Sequence, residues 1–361
     1  MTETEQGPLT SVSIPGETII DILTERGWTA AQFAERMGYT PKHVNELLHG
    51  RASITADTAL RLESVLGSTA QFWLNREVQY REALARREAH AGLQDQGEWL
   101  RTLPIKQMVE WKWIEKADDT AAQAAVCLKF FGVSSVPAWQ ETYSKPIEAL
   151  GAFRASNRHA MKLGSVVAWL RKGELEAAAR LLKPWDKAAF KAALPEIRKL
   201  TRETDPQKFL PALAKQCAEV GVAFVHLRAP EGCPVNGATK FLSPEKALLM
   251  LSFRHLREDA FWFSFFHEAG HLILHPKRTM FLEVPKAEGA EEREADQHAE
   301  DLLVPAASRP AMDQLGTPSA IRNFADSIGI SAGIVVGQLH HRGVPFNRFN
   351  FLIQHYRWVT G

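Results

Sequence analysis

The run Phe265-Phe266-His267-Glu268-Ala269-Gly270-His271-Leu272-Ile273-Leu274-His275 sets three histidines and a glutamate inside an otherwise apolar stretch. Phe261, Trp262, Phe265, Phe266, Leu272, Ile273 and Leu274 make the expected helix apolar nearly all round, and Glu258-Asp259 favour its N-terminus. Such a helix is buried, and polar His-Glu-His inside it costs free energy unless a metal or hydrogen bonds satisfy it. His267 and His271 are four apart, so their imidazoles leave one face about a turn from each other. Together they can hold two positions on one Zn²⁺, a borderline-soft cation suited to neutral imidazole. Glu268 follows the first histidine, where its carboxylate can reach a water activated by such an ion rather than the ion itself. Five residues can match by chance, so the reading turns on a third ligand.

A catalytic zinc site takes three protein ligands and keeps one open position. Downstream, Glu291-Glu292-Arg293-Glu294-Ala295-Asp296-Gln297-His298-Ala299-Glu300-Asp301-Leu302-Leu303-Val304-Pro305 reads as a helix ended by proline. Glu292 and Asp296 are four apart on one face, so Glu292 can bind the metal while Asp296 orients an imidazole from behind. Glu294 is the rival ligand, on a different face from Asp296. The long-spaced pattern with a third histidine ten residues after the first is absent. His275 extends the histidine series but spirals off a single metal, and is expected to support a ligand or cap the helix. His298 is expected to be structural.

Residues from about 222 to 340 resemble the ImmA/IrrE family of zinc metallo-endopeptidases. The resemblance is carried by the apolar strand Ala247-Leu248-Leu249-Met250-Leu251, the FFHEAGHLILH segment, and E-x-x-A-D-x-x-A-x-x-L-L-V-P from Glu292 onward. It implies that His267, His271 and Glu292 bind Zn²⁺, that Glu268 is the general base, and that the chemistry is endopeptidic. It names no substrate.

Charge and cysteine usage narrow the setting. The chain of 361 residues carries a formal net charge of +1 and is 45% hydrophobic, which suits a folded protein of two or three domains. Cys127, Cys217 and Cys233 are far apart with no C-x-x-C, giving neither a disulfide framework nor a thiolate metal site. The polar, acidic first residues are unlike a secretory signal, and no apolar run is seen to approach the ~20 residues needed to span a bilayer. A cytoplasmic location, without membrane contact, is expected.

The first 85 residues read as a helical bundle. Pro15 to Gly27 form a first helix. Thr29 caps a second, with Phe33, Ala34 and Met37 inward and Gly38 at its end. Thr40 caps a third, Pro41 to Leu48, and Thr55 a fourth, Ala56 to Leu66. Two short helices joined by a tight Gly-Tyr turn make a helix-turn-helix. Thr40, Lys42, His43 and Asn45, with Arg51 beyond, are the candidates to meet bases and phosphates. Acidic side chains outnumber basic ones over these residues, so the alternative is an ordinary helical bundle. Residues 14–85 also resemble HigA-type antitoxins of the lambda-repressor-like class. The carriers are Met37-Gly38, Leu47-Leu48-His49-Gly50-Arg51, Ile54-Thr55, Ala59-Leu60-Arg61-Leu62, Leu66-Gly67 and Phe72-Trp73-Leu74-Asn75. That resemblance implies dimeric binding to palindromic operator DNA. Ala30 and Ala31 depart from it, where relatives carry a polar, DNA-contacting residue.

Residues 86–98 read as a linker or connecting helix, and residues 99–220 as helical, punctuated by Pro104, Gly132, Pro137, Gly151, Gly164, Gly173, Pro184 and Pro195. Trp111, Trp113, Trp139, Trp169 and Trp185 are assigned to packing rather than base stacking. Strands are expected at Gly221–Val225 and Ala247–Ser252, with Pro230–Ser243 a loop bordering a cleft. His340, His341 and Tyr356 are noted as possible oxyanion stabilisers. The fold expected is mainly α with a small β-sheet: a helix-turn-helix bundle at 1–85, a helical middle, and a zincin-like metallopeptidase domain at 221–361.

The expected function is a DNA-binding, antitoxin-like transcriptional regulator carrying a zinc-dependent endopeptidase that hydrolyses a regulator, a toxin or a copy of itself. In the resembled family, separate proteases cleave helix-turn-helix repressors in stress responses. The alternatives are a non-proteolytic autorepressor whose metal domain is a sensor or scaffold, and a metallohydrolase acting on non-protein substrates. Expected partners are double-stranded operator DNA, a second copy of the chain, and a protein substrate such as a helix-turn-helix repressor or cognate toxin.

Overall fold

The computed structural model describes residues 12–150, 161–276, 280–284 and 289–358. The chain divides into two compact units: residues 1–96 with 118–125, and residues 97–117 with 126–361. Apart from residues 118–125, the helical middle region therefore shares the second unit with the segment after residue 221.

In the first unit, helices α1 (Pro15–Glu25), α2 (Ala30–Met37), α3 (Pro41–Leu48), α4 (Ala56–Leu66) and α5 (Ala70–Ala91) close around Ile19, Phe33, Met37, Val44, Leu62 and Trp73. Each fully buried large side chain of this kind contributes roughly 1.5–3 kcal/mol. Threonine hydroxyls start four of the five helices: Thr29, Thr40, Thr55 and Thr69 accept backbone N–H groups from the first turns of α2 to α5. Gly38 ends α2 with a left-handed φ of 66°, turning the chain sharply toward α3. The first helix ends two residues before the expected boundary at Gly27. Residues 76–91 continue α5 as unbroken helix.

The second unit is mainly helical with one mixed sheet. Helices α6 (Leu163–Ala178), α7 (Lys187–Lys199) and α8 (Pro206–Ala218) precede strands β1 (Val222–His226), β2 (Gly237–Ser243) and β3 (Lys246–Leu251). Helix α9 (Glu258–Leu274), strand β4 (Phe281–Glu283), helix α10 (Ala290–Leu303) and helix α11 (Ala332–His341) complete the frame. The strand order is β1-β3-β2-β4, with β1 parallel to β3 and the other pairs antiparallel. Helix α9 packs on this sheet with Trp262, Phe265 and Phe266 fully buried. Arg198 of α7 donates to the carbonyl of Leu303 (2.9 Å), closing the C-terminal end of α10 and fixing where that helix stops.

Several local expectations are corrected. Residues 237–243 are not loop but strand β2, because pairing with β3 on one edge and β4 on the other outweighs the weak strand signal of a glycine-first, lysine-containing segment. Gly173 and Pro195 lie inside α6 and α7 rather than interrupting them. A Cβ at Gly173 would fall 2.2 Å from Met250 Sδ, so its role is close approach to β3. Gly151 lies outside the described residues. Trp139 and Trp169 are buried, as packing residues should be. Against the expectation of no such run, Thr120–Ala149 is long and apolar enough by composition to cross a membrane, with mean hydropathy 1.2 and 39% of its most apolar window buried. Its backbone breaks at Gly132, where φ is +70°.

Candidate metal centre and nucleic-acid interface

In the first unit, α2 and α3 meet at the Gly38-Tyr39 turn. Thr40 accepts the His43 N–H at 3.2 Å, so its hydroxyl serves as the cap of α3. Lys42, Asn45 and Arg51 stand exposed along α3 and just past it, with Thr40 exposed at its start. His43 is only half exposed, its ring edge against Tyr39 at 4.6 Å. Inside the same helix Val44, Leu47 and Leu48 are buried. The spacing between α1 and α3 is set by Gly16, where a Cβ would lie 1.9 Å from the Leu48 carbonyl oxygen. Ala30 and Ala31 are exposed at the start of α2 and offer no polar group there.

In the second unit, the apolar α9 brings its polar residues to one side, toward α10. The ligand atoms of His267, His271 and Glu292 all lie within 4.8 Å of one another. His271 Nε2 is 3.0 Å from His267 Nε2, and the Glu292 carboxylate lies 3.3 Å from His267 Nε2 and 3.7 Å from His271 Nε2. Gly270 permits this closeness: a Cβ there would come within 3.2 Å of Ala295 Cα on α10. Two imidazole nitrogens and a carboxylate oxygen converging this way are a donor set that suits a divalent transition ion with an open fourth position.

The neighbouring groups orient these donors. His267 Nδ1 meets Asp296 Oδ1 at 2.8 Å, so the carboxylate holds the ring from behind. His271 Nδ1 meets His275 Nδ1 at 3.0 Å, and His275 Nε2 meets Glu294 Oε2 at 3.2 Å. Glu294 therefore bonds His275, while Glu292 reaches His267 and His271. The Phe281 ring stacks on His271 at 4.1 Å. His298 Nδ1 faces the Phe266 carbonyl at 3.4 Å, tying α10 to α9.

Burial and charge set the titration of the cluster. Burial opposes a charge on His267, but the Asp296 and Glu292 carboxylates override it and push its pKa up to about 11. Burial would raise Glu292, yet His267 and His271 bring it down to about 2. Burial holds His271 below the ordinary histidine value. Glu268 is fully buried, and burial drives its pKa well above the usual carboxylate range. Among the described residues neither Glu268 oxygen finds a hydrogen-bond partner. The Thr239 hydroxyl is near enough to lower the Glu268 pKa without making a hydrogen bond of ordinary geometry, and a carboxylate so placed, within electrostatic reach of His267 and Glu292, is the kind of group that an ion with its water would satisfy.

Sequence reasoning missed three residues here. Gly237 on β2 faces Glu268 so closely that a Cβ would sit 2.5 Å from Oε1; it lies in the Pro230–Ser243 segment, whose reading as a loop bordering a cleft singled out no residue. Glu283 on β4 is half-buried, accepting from Ser264 Oγ (3.0 Å) and Asn236 Nδ2 (3.3 Å), and desolvation raises its pKa. Phe281 belongs to a three-residue strand that no periodicity could reveal. Of the residues noted for an oxyanion role, His340 bonds the Arg348 carbonyl at 2.8 Å and Tyr356 is buried against Phe209 and Phe253. His341 is exposed and lies 3.8 Å from Glu300.

Comparison with known proteins finds a match to a helix-turn-helix family over residues 19–73. An uncharacterized HTH-type transcriptional regulator of Escherichia coli, YddM, is 38% identical over 61 residues, which are 17% of this chain and 65% of that protein. Antitoxin HigA-1 of Vibrio cholerae is 35% identical over 75 residues, 21% of this chain and 68% of that protein. The structure of an addiction module antidote protein of a HigA family from Coxiella burnetii is 32% identical, covers 23% of this chain and 92% of that one, and has a TM-score of 0.22. The chain spans just under two thirds of the length of the first of these relatives.

Proposed function

Since this chain belongs, through residues 19–73, to a helix-turn-helix family with a HigA antitoxin among its relatives, we propose that it is a DNA-binding, antitoxin-like regulator whose second unit is a zinc-dependent endopeptidase. The DNA-binding half of the reading rests on that membership and on the exposed row Thr40, Lys42, Asn45 and Arg51 at α3. Such a helix enters the major groove, and a second copy of the chain would read the other half of a two-fold operator. The relatives named as antitoxin and antidote make a cognate toxin an expected partner.

The enzymatic half rests on one observation: His267, His271 and Glu292 converge, and the buried Glu268, next to His267 on α9, lies within electrostatic reach of His267 and Glu292. His267, His271 and Glu292 would hold the ion. The chemistry supplied by a bound Zn²⁺ is polarisation of the scissile carbonyl and acidification of water. With a cation's charge beside it Glu268 would be ionised despite its burial, and in that form would take the proton of the attacking water and pass it to the leaving amine. Asp296 keeps His267 turned toward the ligand position. The substrate is a peptide bond in a regulator, a toxin or a copy of this chain.

The test compares new protein N-termini in cells expressing the wild type or Glu268→Gln, before and after DNA damage or phage challenge. Termini produced only by the wild type are expected. Identical termini from both, with zinc bound to both, would sink the protease and leave an autorepressor whose metal domain is a sensor or scaffold.

A further inference from the structure

We infer that His275 and Glu294 form a positioning relay that fixes His271 in the tautomer able to bind the metal; the inference rests on the metal reading above. The directions of its hydrogen bonds follow from its carboxylate end. An ionised carboxylate only accepts, so at 3.2 Å the His275 Nε2–H donates to Glu294 Oε2. A neutral imidazole with its proton on Nε2 has a bare Nδ1. That atom accepts the Nδ1–H of His271 at 3.0 Å. His271 is left with a bare Nε2, the atom that faces His267 Nε2 and the Glu292 carboxylate. The opposite tautomer would aim an N–H at the position where a ligand lone pair is needed.

The surroundings hold both rings of the relay. Only 5% of the His275 side chain is exposed, and Phe281 contacts its ring at 5.1 Å as well as stacking on His271 at 4.1 Å. The relay also completes a pattern on α10. Glu292 offers its carboxylate to the ligand cluster, Asp296 ends directly on His267, and Glu294 reaches His271 only through the interposed imidazole of His275. One helix thereby supplies a ligand and both orienting carboxylates, and the histidine one turn beyond His271 acquires a definite task.

The experiment measures zinc affinity of the full chain by competition with a chromophoric chelator, for the wild type, His271→Ala, His275→Leu, His275→Asn and Glu294→Ala. His275→Leu fills the space but accepts no hydrogen bond, and should weaken zinc binding by roughly 10–100-fold. His275→Asn, whose amide oxygen can accept the His271 Nδ1–H, should recover most of that loss. Glu294→Ala should cost less than His275→Leu, because its carboxylate is largely in solvent where water can replace it. Nitrogen–proton NMR correlations of the metal-free wild type give a readout independent of any variant: His271 should carry its proton on Nδ1. Zinc binding by His275→Leu within twofold of wild type, or a proton on His271 Nε2, would overturn the relay while leaving the metal site standing. A wild type that binds zinc no better than His271→Ala would remove the metal reading, and the relay with it.

Discussion

In the N-terminal bundle Ile19, Phe33, Val44, Leu62 and Trp73 are buried while Lys42, Asn45 and Arg51 stand in solvent; around α9 polar and apolar residues are buried alike. There His267, Glu268 and His271 are buried in the same helix as Phe265, Phe266 and Trp262. A surface that binds a polyanion needs no unusual burial, since its side chains are solvated before and after binding. A site that must move protons and hold an ion gains from low dielectric, at the cost of burying groups without protein partners. On the proposed function the difference makes the two roles separable by substitution: changes on α3 should alter affinity for DNA, and changes on α9 and α10 should alter metal binding and hydrolysis.

The largest effect is expected at Glu292→Ala. It removes one of the three proposed ligand groups, so zinc affinity should fall by more than the roughly 10–100-fold typical of losing an orienting partner alone. Equilibrium dialysis against zinc measures it, and operator binding by the same protein should stay at the wild-type level. Loss of both together would break the comparison.

Next in size is Lys42→Ala combined with Asn45→Ala. A well-placed base contact contributes about 1–3 kcal/mol of discrimination, and each phosphate contact about one unit of salt slope. The double variant should therefore bind operator DNA at least tenfold more weakly with unchanged zinc stoichiometry. Titrations at several salt concentrations check both parts, and unaltered binding would remove α3 as the reading helix.

Two glycines sharpen the contrast between a residue that shapes the fold and one that shapes the site. Gly16→Ala pushes a methyl group into the Leu48 backbone, so α1 and α3 must separate; overpacking of this kind costs about 1–3 kcal/mol. Denaturant unfolding followed through Trp28 and Trp73 should show that loss in the first unit. Gly237→Ala instead drives a methyl group against the Glu268 carboxylate, and should suppress peptide hydrolysis while zinc remains bound. Equal activity in Gly237→Ala and wild type would show that Glu268 tolerates displacement.

How much could be read beforehand follows the range of the interactions. Helices α2, α3 and α4 were legible to the residue because their start signals, Thr29, Thr40 and Thr55, act three residues away on N–H groups of the first turn. The pairing of His267 with His271 and the alignment of Glu292 with Asp296 were legible for the same reason, since spacing by four fixes a helix face. The antitoxin-type resemblance of the first 85 residues agrees with the relatives found, whereas the endopeptidase stands as a proposal on the geometry. Strands β2 and β4 were not legible, because their pairing partners lie elsewhere in the chain and their own segments carry little alternation. The link from His275 to Glu294 joins residues nineteen apart, one just past the end of α9 and the other on α10, and the close crossing of the two helices at Gly270 accompanies it.

The smallest effect concerns Glu258, a buried carboxyl that, unlike Glu268, is partnered: it accepts from Ser331 Oγ and from the Gln354 N–H, each at 2.8 Å. Burial still raises its pKa above the ordinary value of 4.5, with the Gln354 and Ser331 hydrogen bonds pulling it back down. A group whose folded pKa exceeds its unfolded one favours the folded state most when protonated. Its contribution is therefore complete below about pH 4.5 and is lost as pH rises through the raised value, at roughly 1.4 kcal/mol for each unit of difference. Glu258→Gln can keep both contacts, its amide oxygen accepting from Gln354 and its NH₂ donating to Ser331, while carrying no charge at any pH. Thermal unfolding from pH 4 to pH 8 should show the variant gaining on the wild type as pH rises, by about 2–4 °C per kcal/mol for a unit of this size. A gap that stays constant across that range would mean the carboxyl is as well solvated folded as unfolded, and that hydrogen bonds from Ser331 and Gln354 suffice to hold a charge at the first residue of α9.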